Sequence, residues 1–190
     1  MKQKGRIFII SAPSGCGKTT LCDKLLTSGV GLARSFSVTT RPRRGEEANG
    51  RDYYFAASAE FKKGIKEGKF LEWTSTFGWY YGTPRSFADG ILEKGRDLLL
   101  SIDVKGAMNV KKMYPDSVLI FIMPPSMREL RARLEKRNAD DKKEIEKRLR
   151  TARKEISFAG RYDYTVVNDN MKRAVDRLKA IVVAEKNKER

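Results

Sequence analysis

Residues 6–28 read Arg6-Ile7-Phe8-Ile9-Ile10-Ser11-Ala12-Pro13-Ser14-Gly15-Cys16-Gly17-Lys18-Thr19-Thr20-Leu21-Cys22-Asp23-Lys24-Leu25-Leu26-Thr27-Ser28. An apolar β-type run comes first. A loop with two glycines follows, then Gly-Lys-Thr and a helix-like stretch. Strand, Gly-rich loop and helix in this order form the context of a phosphate-binding P-loop. Gly15 and Gly17 open backbone conformations closed to other residues and let N–H groups approach phosphate oxygens. The helix N-terminus adds a dipole that favours an anion. Lys18 is placed to reach β- and γ-phosphates, and the Thr19 hydroxyl to ligate Mg²⁺. The pattern calls for Gly at its first position, where this chain has Ala12. The competing reading is a plain turn between strand and helix, and Gly-Lys-Thr at the helix start argues against it.

Working outward, the 190 residues suffice for one α/β unit with small insertions. No apolar run approaches the roughly 20 residues of a membrane span, and the N-terminus leads into a strand rather than a signal peptide. A cytoplasmic protein without membrane association is the expectation. Two cysteines, Cys16 and Cys22, give no disulfide framework. Cys16 is expected to fill a variable loop position, although a helix N-terminus can lower a thiol pKa. No His is present, which excludes His general bases, Ser-His-Asp triads and His metal sites. Phosphoryl transfer suits the residues that remain, because it is mostly positioning and charge stabilisation. The 40 Lys and Arg against 24 Asp and Glu give a formal net charge of +16. The basic residues are dispersed and no nucleic-acid motif is visible, so solvated helix faces and anionic nucleotides account for the excess.

Periodicity predicts strands at 6–11, 35–40, 53–56, 70–75, 79–83, 97–102, 118–122 and 164–167. Helices are predicted at 18–28, 58–67, 86–94, 105–114, 126–137, 141–158 and 170–188. Ser126-x-x-Glu129 is a capping-box signature for the helix at 126. The apolar strands at 6, 97, 118 and 164 alternate with helices and predict a buried parallel sheet covered on both faces. The block 35–94 has shorter strands separated by turns and reads as an antiparallel insertion. The segment 133–150 is rich in Arg and Lys with few apolar anchors, either a mobile flap or a solvated helix pair.

The second half of a phosphotransfer site must lie elsewhere, and 35–103 is the candidate. Ser37-Val38-Thr39-Thr40-Arg41-Pro42-Arg43-Arg44 gathers hydroxyls and guanidiniums at a strand end. Arg forks match phosphate oxygens bidentately. Tyr53 and Tyr81 offer phenol O–H groups to the same phosphate. Glu72 lies among apolar neighbours in Phe70-Leu71-Glu72-Trp73. A carboxylate accepts the adjacent N1–H and N2–H₂ donors of guanine, an edge that adenine lacks. Ser37 and Thr83 have hydroxyls for guanine O6 or N7.

Taken in order, these motifs resemble the guanylate kinase family over about residues 5–186. They are Pro-Ser-Gly-x-Gly-Lys-Thr, Thr39-Thr40-Arg41-x-x-Arg44, Asn49-Gly50-x-Asp52-Tyr53, Phe70-Leu71-Glu72-Trp73, Tyr80-Tyr81-Gly82, Ile102-Asp103, Met123-Pro124-Pro125-Ser126 and Val167-Asn168-Asp169. The resemblance implies an α/β P-loop NTPase core, a parallel sheet flanked by helices, with a small mixed GMP-binding domain and a helical lid. The implied core is 1–34, 95–131 and 155–190, the GMP-binding domain 35–94 and the lid 132–154. Transfer of a phosphoryl group from ATP, with Mg²⁺, to GMP is the implied reaction. ATP-binding positions fall on Ala12, Pro13, Ser14, Gly15, Cys16, Gly17, Lys18, Thr19, Thr20, Arg133, Arg137 and Asn168, the last near the adenine. GMP-binding positions fall on Ser37, Arg41, Arg44, Tyr53, Glu72, Tyr81, Gly82, Thr83 and Asp103. Catalytic charge stabilisation falls to Lys18, Arg41, Arg133, Arg137 and Arg148, and the metal contact to Thr19.

Departures from the family pattern are Ala12, Ser101 in Ser101-Ile102-Asp103 where Asp is common, Lys105 where Gln is usual, and Glu46-Glu47 after a displaced Gly45. Two other readings compete. A related kinase could act on a sugar phosphate such as ribose 1,5-bisphosphate, against which Glu72 and Thr83 argue. Scaffold modules of this family bind proteins and tend to lose the phosphate loop, which this chain keeps in Lys18 and Thr19. Oligomeric state is not legible.

Overall fold

In the computed structural model, residues 4–137 and 142–188 are described, with the side chain of Arg137 outside that set. Strand β1 (Ile7–Ser11) runs into the Gly-rich loop and helix α1 (Lys18–Leu26). Short strands β2 (Leu32–Arg34), β3 (Val38–Thr39) and β4 (Tyr54–Phe55) follow, then helix α2 (Ser58–Lys66). The hairpin β5 (Phe70–Thr76) and β6 (Trp79–Pro84) leads into α3 (Arg85–Leu92). The chain continues with β7 (Asp97–Ser101), α4 (Val104–Met113), β8 (Val118–Met123), α5 (Met127–Arg137), α6 (Lys142–Ile156), β9 (Tyr164–Val167) and α7 (Met171–Lys186).

Among the described residues the strands form two sheets. The larger has the order β2-β7-β1-β8-β9 with every pairing parallel. Its central strand alternates as a doubly covered strand must. Phe8 and Ile10 point into one apolar cluster with Leu21 and Leu25 of α1 and Leu178 of α7. Ile7 and Ile9 point into the other, with Ala88 and Leu92 of α3 and Ala107 of α4. Burying each such aliphatic or aromatic side chain contributes about 1.5–3 kcal/mol. None of the described helices is long and apolar enough to cross a membrane.

The smaller sheet has the order β4-β3-β6-β5. Its β5–β6 and β3–β6 pairs are antiparallel, but β3–β4 is parallel, so the sheet is mixed rather than antiparallel. The long loop between Thr39 and Tyr54 makes this possible, because a tight turn can join only antiparallel strands. Of the strand expected over 35–40 only Val38–Thr39 forms, and a separate strand not expected from sequence, Leu32–Arg34, precedes it. Leu32–Arg34 extends the large sheet against β7, and Val38–Thr39 belongs to the small one. The chain changes sheets between them, and a three-residue strand carries too little periodicity to be seen in sequence.

The basic segment 133–150 is not a fully solvated helix pair among its described residues. Leu130 and Leu134 of α5 and Ile145, Leu149 and Ala152 of α6 are buried in the same cluster as Phe8 and Cys16. Their i, i+4 spacing sets one apolar stripe on each helix beneath many charges. The serine half of the capping box forms, with the Glu129 N–H donating to Ser126 Oγ at 3.1 Å, while the Glu129 carboxylate accepts from Arg133. Residues 138–141, inside the expected lid, lie outside the described residues.

Candidate functional site

The phosphate loop closes on two left-handed glycines, Gly15 at φ 90° and Gly17 at φ 81°. Gly17 is also the N-cap of α1, and no side chain caps the helix. The first N–H groups of α1 are therefore left for an anion. Space enforces the glycines too. A Cβ on Gly17 would lie 2.8 Å from Asn168 Nδ2, and one on Gly15 would press on Leu130 and Leu134. Cys16 is fully buried, and burial pushes its thiol up to about 12. It is an inert packing residue, and the helix N-terminus does not activate it.

Lys18, the first residue of α1, is half-buried and donates to the Ile102 carbonyl at 3.0 Å. Its ammonium thus sits at the C-terminal edge of β7, where open parallel sheets bind ligands. Burial lowers its pKa, opposed by Cys22, Asp103, Glu155 and Glu72. Asp103 caps α4, its Oδ1 accepting from the Gly106 N–H at 2.9 Å. Its Oδ2 accepts from the hydroxyls of Thr74 and Thr76 at 2.8 and 2.7 Å. One carboxylate therefore ties the β5 strand of the small sheet to the end of the large one.

Glu72 is 5% exposed. The Thr83 hydroxyl, on the neighbouring strand, donates to its Oε1 at 2.8 Å. Burial raises the carboxyl to about 7, Asp103 adds to the rise, and the Thr83 hydrogen bond opposes it. Its other oxygen abuts the first turn of α4, since a Cβ on Gly106 would lie 2.6 Å from Oε2. A buried carboxylate with one oxygen oriented and neutral polar neighbours is equipped to accept a pair of N–H donors. Opposite lie Tyr53 and Tyr81, edge-to-face with centroids 6.3 Å apart.

These groups line one cleft of about 390 Å³. Ser14, Lys18, Ser101 and Asp103 bound it on the large sheet, and Ser37, Arg44, Tyr53, Glu72 and Tyr81 on the small one. Glu144, Lys147 and Arg148 bound it on α6. The cleft runs from the phosphate loop to a hydrogen-bond-accepting wall, as a group transfer between two bound molecules requires.

A family model described as Guanylate kinase matches residues 4–185. The chain belongs to that family. It is 45% identical over 186 residues to a guanylate kinase of Caldanaerobacter subterraneus subsp. tengcongensis, covering 98% of this chain and 90% of the relative. A guanylate kinase of Koribacter versatilis is 49% identical over 185 residues, covering 96% and 79%. The crystal structure of guanylate kinase from Anaplasma phagocytophilum superposes with a TM-score of 0.83 at 38% identity, covering 99% of this chain and 89% of that one.

Against the positions expected from the guanylate kinase motifs, the structure brings together Ser14, Lys18, Ser37, Arg44, Tyr53, Glu72, Tyr81, Asp103 and Arg148. Ala12 and Pro13 are buried under the loop, while Thr19 and Thr20 are exposed on the first turn of α1. Other expected residues are engaged elsewhere. Arg41 is buried, its Nη2 donates to both Glu47 carboxylate oxygens at 2.9 Å, and its guanidinium stands 5.6 Å from the Tyr53 ring centre. Thr83 is fully buried and addresses Glu72, not open cleft space. Gly82 answers to packing, with Phe70 and Phe61 at 2.9 and 3.0 Å from where a Cβ would stand.

Asn168 does not face open space beside the loop. It is buried, and its Nδ2 donates to the Cys16 carbonyl at 2.8 Å, bracing the loop from behind. Arg133 donates to Glu129 Oε1 and to the Asn168 carbonyl, and Arg148 stands near Glu144 at 3.7 Å. The side chain of Arg137 lies outside the described residues.

Sequence reading missed Thr74, Thr76, Glu144, Lys147 and Glu155. The first two carry a signal, since 72, 74 and 76 share one face of a strand. Glu155 carries none. Its carboxyl is raised to about 7 by burial, with Lys18 opposing and Asp103 adding. Among the described residues no group of three or more His, Cys, Asp or Glu could hold a metal. The exposed Thr19 hydroxyl beside the loop fits a hydrated Mg²⁺ bound mainly through phosphate oxygens, the usual manner of that ion.

Proposed function

We infer that this chain carries out the reaction of its family, ATP-dependent phosphorylation of GMP to GDP. The observation that carries it is the buried Glu72, oriented by Thr83, in a cleft that also contains Lys18 of the phosphate loop. An oxygen of the GMP phosphate forms the new bond to the γ-phosphorus. The bond from that phosphorus to the β,γ-bridging oxygen breaks, and ADP leaves with the electron pair.

The loop N–H groups from Gly15 to Thr19 hold the β-phosphate, and Lys18 leaves the Ile102 carbonyl for the phosphates. Ionised Glu72 accepts from guanine N1–H and N2–H₂. Arg44, Tyr53 and Tyr81 hold the GMP phosphate. Arg41 supports them through Glu47 and Tyr53 or joins them once Glu47 yields. Arg133, Arg137 and Arg148 offset charge spreading over the transferred group. Asn168 serves ATP binding by holding the loop's shape. Thr19 would hold Mg²⁺ beside the phosphates, where the ion would supply further charge neutralisation.

In the same reading, 1–34, 95–131 and 155–190 form the core, 35–94 the GMP-binding domain and 132–154 a lid. The enzyme works in the cytoplasm in purine nucleotide metabolism. The test is ADP release from ATP and Mg²⁺ with GMP, AMP, CMP, UMP, a sugar phosphate or no acceptor. ADP formed only with GMP, matched by GDP, is the expected result. Equal release without acceptor, or with a sugar phosphate alone, overturns it.

A further inference from the structure

The β5–β6 hairpin turns through two residues, Phe77 and Gly78, between the paired Thr76 and Trp79. Both have positive φ, 53° and 82°. A two-residue turn with both φ positive favours Asn-Gly or Asp-Gly, because a bulky side chain is strained there. Phe77 is the only non-glycine residue with positive φ among the described residues. Its ring is 45% exposed, so core packing does not explain the strain. Strain at an exposed aromatic invites a functional reading when the ring has somewhere to go.

The ring lies between two spaces. It lines the acceptor cleft, and it lines a second cavity of about 440 Å³ with Val104, Lys105, Thr151, Glu155 and Phe158. Lys147 of α6 also lines both, and its ammonium stands 6.0 Å from the Phe77 ring centre. Arg148, the next residue on α6, lines the acceptor cleft. The tip of the small sheet thus meets the helix that lines this cleft with an arginine.

We propose that Phe77 is a positioning residue for phosphoryl transfer: its ring docks on α6 through Lys147 and sets where Arg148 stands over the bound acceptor. The left-handed turn presents the ring toward α6, which an unstrained asparagine at the same position could not do. The proposal depends on the cleft being the GMP site. Wild-type GMP-dependent ADP release is therefore measured first, so failure of that reading shows in the wild type and failure of the proposal only in the variants.

Phe77→Asn supplies the residue this turn prefers and removes the ring. Its melting midpoint should hold or rise, while kcat/KM for GMP falls about 3–10-fold, the scale of an exposed cation–π contact with its ring packing. Phe77→Tyr should restore wild-type kinetics. Lys147→Gln should reproduce the loss, and the double variant with Phe77→Asn should lose no more than either alone. Trp79, on the cleft side beside the tip, is the sole tryptophan once Trp73→Phe is made. Its fluorescence change on adding GMP with a non-hydrolysable ATP analogue should shrink in Phe77→Asn. Unchanged kinetics, additive losses in the double variant, or a loss that follows a lowered midpoint would each overturn the proposal.

Discussion

The large and small sheets meet at one cleft but are built on opposite terms. The large sheet is all parallel, and Phe8, Ile9, Ile10, Leu98, Leu100, Leu119 and Ile120 are fully buried in it. It offers ligands backbone N–H groups and one lysine at its C-terminal edge. The small sheet is mixed, buries Glu72, Thr74 and Thr83, and leaves Trp73, Trp79, Phe77 and Tyr54 substantially exposed. It offers side-chain acceptors held by other side chains. Phosphate is common to all nucleotides and can be held by a rigid loop. A base must be told from its analogues, which takes buried polar groups that suffer when left unmatched.

Lys18→Ala is the sharpest break on the large-sheet side. Transfer should fall by roughly a thousandfold or more, the scale of losing a preorganised charge at the reacting phosphates. The melting midpoint should hold, since a partly desolvated ammonium is removed. Near-normal turnover would sink the role of the phosphate loop.

On the small-sheet side, Glu72→Gln should lower kcat/KM for GMP about 10–100-fold, corresponding to a charge-assisted hydrogen bond of about 1.5–3 kcal/mol. ATP analogue binding should hold. The pH dependence sharpens the contrast. On the proposed role of Glu72 its ionised form accepts from guanine, so wild-type kcat/KM for GMP should rise as pH increases through about 7, and the variant should be flatter. Stability runs the other way. Glu72 and Glu155 are raised from 4.5 to about 7 on folding, so their contribution is complete below 4.5 and is lost as pH climbs through 7. Thermal melts from pH 5 to 8 should show that decline, and it should be shallower in Glu72→Gln. Equal slopes would mean that the carboxyl is solvated.

Gly106→Ala tests the seam, because the new Cβ would lie 2.6 Å from Glu72 Oε2. Forced repacking should cost about 1–3 kcal/mol and weaken use of GMP more than ATP binding. Asn168→Ala should have the smallest kinetic effect, orphaning the buried Cys16 carbonyl. A loss of about 1–3 kcal/mol in denaturant unfolding, with a raised KM for ATP and little change for GMP, is expected. An equal rise for both nucleotides would erase the distinction between the two sheets.

Much of this was legible in order of locality. The strand, loop and helix at 6–28 are contiguous, and the glycines, lysine and threonine act at fixed spacing. The four apolar strands announced the parallel sheet, although β2 was too short to register. The basic stretch at 133–150 misled because composition hid Leu134, Ile145 and Leu149, whose spacing places them inward. Glu72 and Asp103 could be nominated from sequence, but not their partners.

By itself the sequence determined the phosphate loop, the alternation that makes the large sheet, and the family motifs of the acceptor wall. Tertiary structure alone decided that Thr83 serves Glu72, that Thr74 and Thr76 serve Asp103, and that Asn168 braces the loop from 152 residues away. A hydrogen-bond partner is chosen by proximity and burial after the chain has closed. Residue type and spacing fix only what each side chain is able to offer.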